Sequence, residues 1–340
     1  MPIHDLGYRA WSGLRGAEML RWPVIAQNGF LRAWNNRWLR RLMILAWVPA
    51  TYFGVVFFFY ERALLSVENE RAIEIFKTLI PADFSQQVDR ATEGDPVENR
   101  HYLWTQLLFM FFRYPQAVLM VLVVGLAAPP LIARDVGSKA FLVYFSRPIS
   151  RVEYILGKSA TVWGYLLLIT TAPALALYAL AVALSPSVEV VAHTWDIPLR
   201  VLAASVVLII PTTSLALAFS SLTKRAVTAG FLWYAVWVLG GMAYAILQAN
   251  AQSEQFLQQQ QDLQQQQAEG AWGEVVEAPQ PQLSRWAFVS LFHTLGLVQG
   301  YVFDPDTGSS SVAWAAVGLT VLTVVSLLVT YWRVSSPMRV

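Results

Sequence analysis

The stretch ARDVGSKAFLVYFSRPISRVEYILGKS, residues 133–159, sets Arg134, Lys139, Arg147, Arg151 and Lys158 between two apolar runs, 115–133 and 159–183, that carry no charge. Concentrating basic charge in a short hinge between charge-free runs is the pattern of a loop on the positive side of a membrane. The rest of the composition agrees. Charged residues are 14% of the chain and hydrophobic ones 56%, with 14 Trp and a mean hydropathy of +0.45. Soluble domains run at about 25% charged and about 45–50% apolar. The chain reads as an all-α membrane protein. With no Cys, it has neither a disulfide framework nor a thiolate metal site. A net charge of +2 does not suggest a nucleic-acid surface.

Crossing ~30 Å of hydrocarbon takes about 20 apolar residues in a helix. Six segments meet that requirement: 42–60, 115–133, 159–183, 201–222, 226–247 and 312–332. The apolar run of the second begins near Tyr102, so 102–114 is expected to be an interfacial helix leading in, with a kink at Pro129-Pro130. Orientation follows from the Lys and Arg bias. With the amino terminus inside, segments 1–41, 134–158, 223–225 and 333–340 are cytoplasmic and hold 16 of the 24 basic residues but 4 of the 22 acidic ones. Both termini are therefore expected in the cytoplasm. Residues 1–41 carry seven Arg and no uninterrupted apolar run, so they do not read as a signal peptide.

A seventh apolar stretch, 283–303, would reverse the sign of the carboxyl-terminal side if it crossed, and is expected to be a re-entrant or outer-surface helix. Outside the membrane lie 61–114, the loop 184–200 and the long segment 248–311. Within 61–101, LSVENERAIEIFKTLI suggests a small helical cap. The Gln-rich part, 249–282, has Ala249, Phe256 and Leu263 seven apart. It fits either a helix packing on a neighbouring copy or a polar loop. Before the first span, Phe30, Trp34 and Trp38 recur every fourth residue among Arg and Asn. That stripe suggests an amino-terminal interfacial helix.

Several motifs fail. Gly157-Lys158-Ser159 imitates the end of a nucleotide-binding loop, but Val152 stands where GxxxxGK[ST] needs Gly. His4, His101, His193 and His293 are scattered, and Glu189 with His193 has no third ligand. No HExxH or GxSxG pattern occurs. The six spans have no ionisable side chain in their interiors, whereas carriers driven by ions or protons usually do. Glu61, Arg113 and Arg200 sit at the edges.

The hinge itself reads as an elbow. Asp135 is placed to cap a short helix, 137–145, on which Phe141, Leu142 and Phe145 form an apolar patch. Pro148 ends that helix, and Ser150-Arg151-Val152-Glu153 is a capping-box pattern opening the next one. An exposed apolar and basic face suits a soluble docking partner; an ordinary positive-inside loop is the plainer alternative.

The run IARDVGSKAFLVYFSRPISRVEYILGK resembles the permeases of the ATP-binding-cassette type-2 exporter family. The match is carried by Asp135, Gly137, Ser146, Pro148, Ile149, Ser150, Arg151, Tyr154, Gly157 and Lys158. Family members often have Glu at the position of Asp135 and Thr at that of Ser138, and the Gln-rich outer segment is a departure. The resemblance implies a permease subunit of the inner (cytoplasmic) cell membrane, with no ATPase site and no cofactor of its own. It implies a separate cytoplasmic ATPase carrying ATP and Mg, a second permease copy or close relative, and an elbow that receives the ATPase. The coupling residues would be Asp135, Gly137, Lys139, Phe141, Leu142, Phe145, Arg147, Pro148, Ser150, Arg151, Glu153 and Lys158. Two other readings stand beside export. One is a non-transporting anchor that transmits force to an extracytoplasmic partner. The other is a secondary transporter, which the charge-free spans disfavour.

Overall fold

In a bilayer every backbone N–H and C=O must be satisfied within the protein, which leaves helices as the natural form for these apolar runs. The computed structural model describes residues 21–65, 75, 78–79, 96–140, 144, 149–268, 285–307 and 310–335, and among them it contains helices and no strand. Most of the cap reading at 61–101, the carboxyl-terminal half of the Gln-rich segment, and Phe141, Leu142, Phe145, Arg147 and Pro148 of the elbow lie outside the described residues.

Among the described residues six helical segments are long and apolar enough to cross a membrane: Arg37–Arg62, Asn99–Gly137, Arg151–Leu184, Val190–Leu222, Ala226–Glu254 and Ser310–Ser335. Each contains one of the six runs expected from the sequence. Two short helices, α1 (Trp22–Trp34) and α2 (Arg37–Leu45), precede α3 (Val48–Leu65). The expected aromatic stripe is divided between them. Asn36 takes an extended backbone and accepts a hydrogen bond from the Trp38 N–H at 3.0 Å, which starts a new helix. Phe30 consequently stacks on Tyr165 with centroids 4.3 Å apart, while Trp38 stays exposed under the Arg41 guanidinium.

The second segment is built from α4 (Pro96–Phe111), a π turn at Phe112–Gln116, α5 (Ala117–Ala127) and α6 (Pro129–Gly137). Its 39 residues extend for about 58 Å at 1.5 Å per residue, roughly twice the hydrocarbon thickness. Residues 102–114 continue the helix and pack much of it into the bundle. Trp104, Leu107, Leu108, Phe111 and Phe112 are all buried, and Phe111 packs edge-on against Phe53. Pro115 has no N–H to donate to Phe111, so the helix widens there by one residue. The third segment repeats the device. Between α7 (Arg151–Leu166) and α8 (Ala172–Leu184) a π turn spans Leu167–Thr171, just ahead of Pro173.

After the short α9 (Val190–Thr194), α10 (Asp196–Leu222) forms the centre of the bundle. Val201, Ala204, Ser205, Leu208, Thr212 and Leu217 are buried there, and the Thr171 hydroxyl donates to Ser205 Oγ at 2.7 Å. A fifth long helix, α11 (Ala226–Ala268), runs unbroken into the Gln-rich segment. Gln is a good helix former, so nothing in that composition stops the helix. The seventh stretch resolves into a 3₁₀ turn, Arg285–Val289, and α12 (Leu291–Phe303), too short to span. The last helix is α13 (Ser310–Ser335).

The edge charges are tied down. Arg100 pairs with Glu61 at 3.2 Å, and the Trp104 indole N–H donates to the same carboxylate. Arg113 donates to the Phe292 carbonyl at 2.6 Å and lies over the Phe292 ring, holding α12. Asp196 joins His101 at 2.9 Å and Arg200 at 2.7 Å. These contacts fasten helices to one another rather than forming a chain of ionisable groups along a path.

Candidate functional site

The elbow begins where α6 ends. Pro129 and Pro130 start α6 with missing donors, and Ser220 of α10 repairs the break. Its Oγ accepts from the Ile132 and Ala133 N–H groups at 3.1 and 3.0 Å and donates to the Pro129 carbonyl at 2.7 Å. The sequence gives no local sign of this role for Ser220, because the partner is 88 residues away.

The Asp135 side chain is not free for the cap expected of it. It sits in the last turn of α6, almost fully buried, and its Oδ2 accepts from the Tyr154 hydroxyl at 2.7 Å and pairs with Lys158 Nζ at 2.8 Å. Tyr154 and Lys158 are one turn apart on α7, so a single carboxylate reaches both. The two helices that flank the elbow are thus clasped at its neck. After α6 the Ala140 N–H bonds to the Asp135 carbonyl at 3.0 Å, Lys139 adopts a left-handed φ of 54°, and the Tyr144 N–H bonds back to the Ala140 carbonyl. Burial, with the Asp135 charge second, pushes the Tyr144 phenol up, so it stays a protonated donor beside the clasp.

The capping box forms as the sequence predicts. Ser150 Oγ accepts from the Glu153 N–H at 3.2 Å, and Glu153 Oε2 accepts from the Ser150 N–H at 2.8 Å. A cap of this kind contributes about 1 kcal/mol. Gly137 lies against the 223–225 connection; a Cβ there would come 2.9 Å from the Lys224 carbonyl. Arg151 opens α7 without burying its side chain fully.

Gly157-Lys158-Ser159 is no phosphate loop. All three are inside α7: Lys158 serves Asp135, Ser159 is buried, and Gly157 admits α1, whose Ile25 side chain and Trp22 carbonyl lie within 3 Å of where a Cβ would stand. One turn along, Gly29 of α1 makes the same allowance for Thr161. Tyr165 then donates to the Phe30 carbonyl at 2.6 Å. Among the described residues no group of three His, Asp or Glu side chains is placed to hold a metal. Burial, with Arg113 nearby, holds the His293 imidazole down to about 4, so it is neutral at neutral pH.

A family model described as ABC-2 family transporter protein matches residues 42–335. The chain belongs to that family. No curated protein matches it. Membership in the ABC-2 family makes this a multi-pass membrane component of an ATP-binding-cassette system and implies an ABC ATPase partner. The elbow of this ABC-2 protein falls inside the matched region, as do all six spans except the first five residues of Arg37–Arg62.

Proposed function

We propose that this chain is the permease subunit of an exporter in the cytoplasmic membrane, with both termini inside and no ATPase site of its own. A separate cytoplasmic ATPase binds ATP and Mg and docks on the elbow, and two permeases assemble around two ATPase subunits. The clasp at the neck of the elbow supports this reading best. Asp135, Tyr154 and Lys158 join the helices that flank the elbow, so a push on the elbow moves spans two and three together. The capping box formed by Ser150 and Glu153 stiffens the far side of the joint. Gly137, Lys139, Phe141, Leu142, Phe145, Arg147, Pro148 and Arg151 complete the proposed docking face.

The test is purification of the tagged chain from its native membrane. An ABC ATPase is expected to accompany it, and Phe141→Asp is expected to lose that ATPase while leaving the chain folded. ATP hydrolysis by the isolated chain, or full ATPase recovery with Phe141→Asp, would defeat the proposal. The orientation is checked separately with single cysteines, since the native chain has none. Cys at Ser253 is expected to react with an impermeant reagent in intact cells and Cys at Ser138 to be protected; the reverse pattern would invert the topology.

A second reading, force transmission to an extracytoplasmic partner, draws on α11. This helix continues past the apolar limit at Glu254 to Ala268, a rigid arm beyond what a span requires. A complex that couples ATP hydrolysis to an outer-face enzyme without moving a solute would favour it.

A further inference from the structure

Beside the clasp, a cleft of about 210 Å³ opens between α1, the α5–α6 junction and α7. Arg32 lines it from α1 and Arg134 from α6, and Asn28, Asn36 and Tyr144 add polar groups. Among the described residues neither arginine has a carboxylate partner. The one acidic group in the lining, Asp135, is already engaged by Tyr154 and Lys158. Three cations therefore share the cleft with one carboxylate. The rest of the wall is apolar: Ile25, Leu126, Pro130 and Leu131.

We propose that this cleft binds a phosphate-bearing anion, held between the Arg32 and Arg134 guanidinium groups. Guanidinium forks match the oxygen geometry of a phosphate and hold it with paired charge-assisted hydrogen bonds. A phosphate offers oxygens in several directions, which suits donors carried on two different helices better than the two oxygens of a carboxylate. The apolar lining leaves room for the carbon skeleton attached to the phosphate. On the topology proposed above the cleft lies at the inner leaflet, where anionic headgroups are concentrated, but binding itself does not depend on that orientation. A ligand here would touch α1 and the neck of the elbow at once, and would oppose their separation.

The full-length chain in detergent micelles is titrated by native mass spectrometry with phosphatidylglycerol and with phosphatidylcholine of matched acyl chains. In parallel, its thermal unfolding is followed with and without millimolar inorganic phosphate. Phosphatidylglycerol is expected to bind about tenfold more tightly than phosphatidylcholine, and Arg32→Gln with Arg134→Gln to abolish the difference. Both side chains are exposed, so the double variant is expected to unfold at the wild-type temperature. Arg62→Gln, at the far end of α3, controls for the loss of charge alone and is expected to keep the preference. If inorganic phosphate stabilises the wild type but not the double variant, and the two lipids bind alike, the source is a soluble phosphate compound and the site stands. Equal binding of both lipids together with no effect of phosphate overturns the proposal. So does a preference that survives in the double variant.

Discussion

Replacement of Lys158 by Met is expected to lower the unfolding temperature of the purified chain more than any other single change in the elbow. Lys158 Nζ lies 2.8 Å from Asp135 Oδ2, and the two side chains are 11% and 9% exposed. Among the described residues, removing the cation leaves the buried carboxylate with the Tyr154 hydroxyl as its one hydrogen-bond partner. Breaking a buried pair from one side costs about 3–5 kcal/mol, because the remaining charge has lost its compensation. Asp135→Leu combined with Lys158→Met removes both charges, and is expected to recover most of the loss. Tyr154→Phe deletes one hydrogen bond and is expected to cost about 1 kcal/mol. Thermal unfolding ranks the variants, and hydrogen exchange in peptides covering 129–140 and 151–160 locates the damage. If Lys158→Met unfolds with the wild type, the clasp does not hold the neck together.

That ranking could not have been derived from the sequence. Asp135 before a short helix satisfies the pattern for an N-cap, and the same residue type serves equally well as a tertiary partner. The choice is made by Tyr154 and Lys158 of α7 reaching Asp135 across the elbow, which no local pattern encodes. The capping box at Ser150 and Glu153 was legible because its bonds join residues three apart. The six spans were legible for a similar reason: the absence of charge over about 20 residues is a property of each run taken alone. Where α4 continues into the bundle, hydropathy sees an apolar run cut by Arg113, Tyr114 and Pro115. The structure answers with a π turn and gives Arg113 the Phe292 carbonyl, so the break in the pattern is not a break in the helix. The aromatic stripe at Phe30 and Trp34 carried the right periodicity, but its protein neighbour, Tyr165, could not be read from it. Glycines at 29 and 157 decide that neighbour, and a pair 128 residues apart leaves no periodic mark.

Those glycines lead to the other large effect expected, Gly157→Val. A Cβ at 157 would stand 2.6 Å from Ile25 Cβ and 2.9 Å from the Trp22 carbonyl. The second of these is backbone and cannot rotate away, so α1 must move. Val adds two methyl groups to that clash. Overpacking of this kind costs about 1–3 kcal/mol, set against a gain of a few tenths from removing a helical glycine. The balance favours displacement, and α1 has few other anchors: the Gly29–Thr161 crossing, the Phe30–Tyr165 stack and the Tyr165 hydrogen bond all lie along the same seam. Hydrogen exchange across 22–34 is therefore expected to rise by at least about tenfold, with 129–140 unchanged because the Asp135–Lys158 pair ties α6 to α7 without using α1. Gly164→Ala supplies the contrast within one helix. Its Cβ would meet the Phe30 ring at 3.4 Å, a contact a small shift can absorb, and protection of α1 is expected to persist. Since α1 forms one wall of the basic cleft, Gly157→Val should also erase any preference for an anionic lipid while Gly164→Ala keeps it. Wild-type exchange across 22–34 in Gly157→Val would show that α1 is held by something other than this seam.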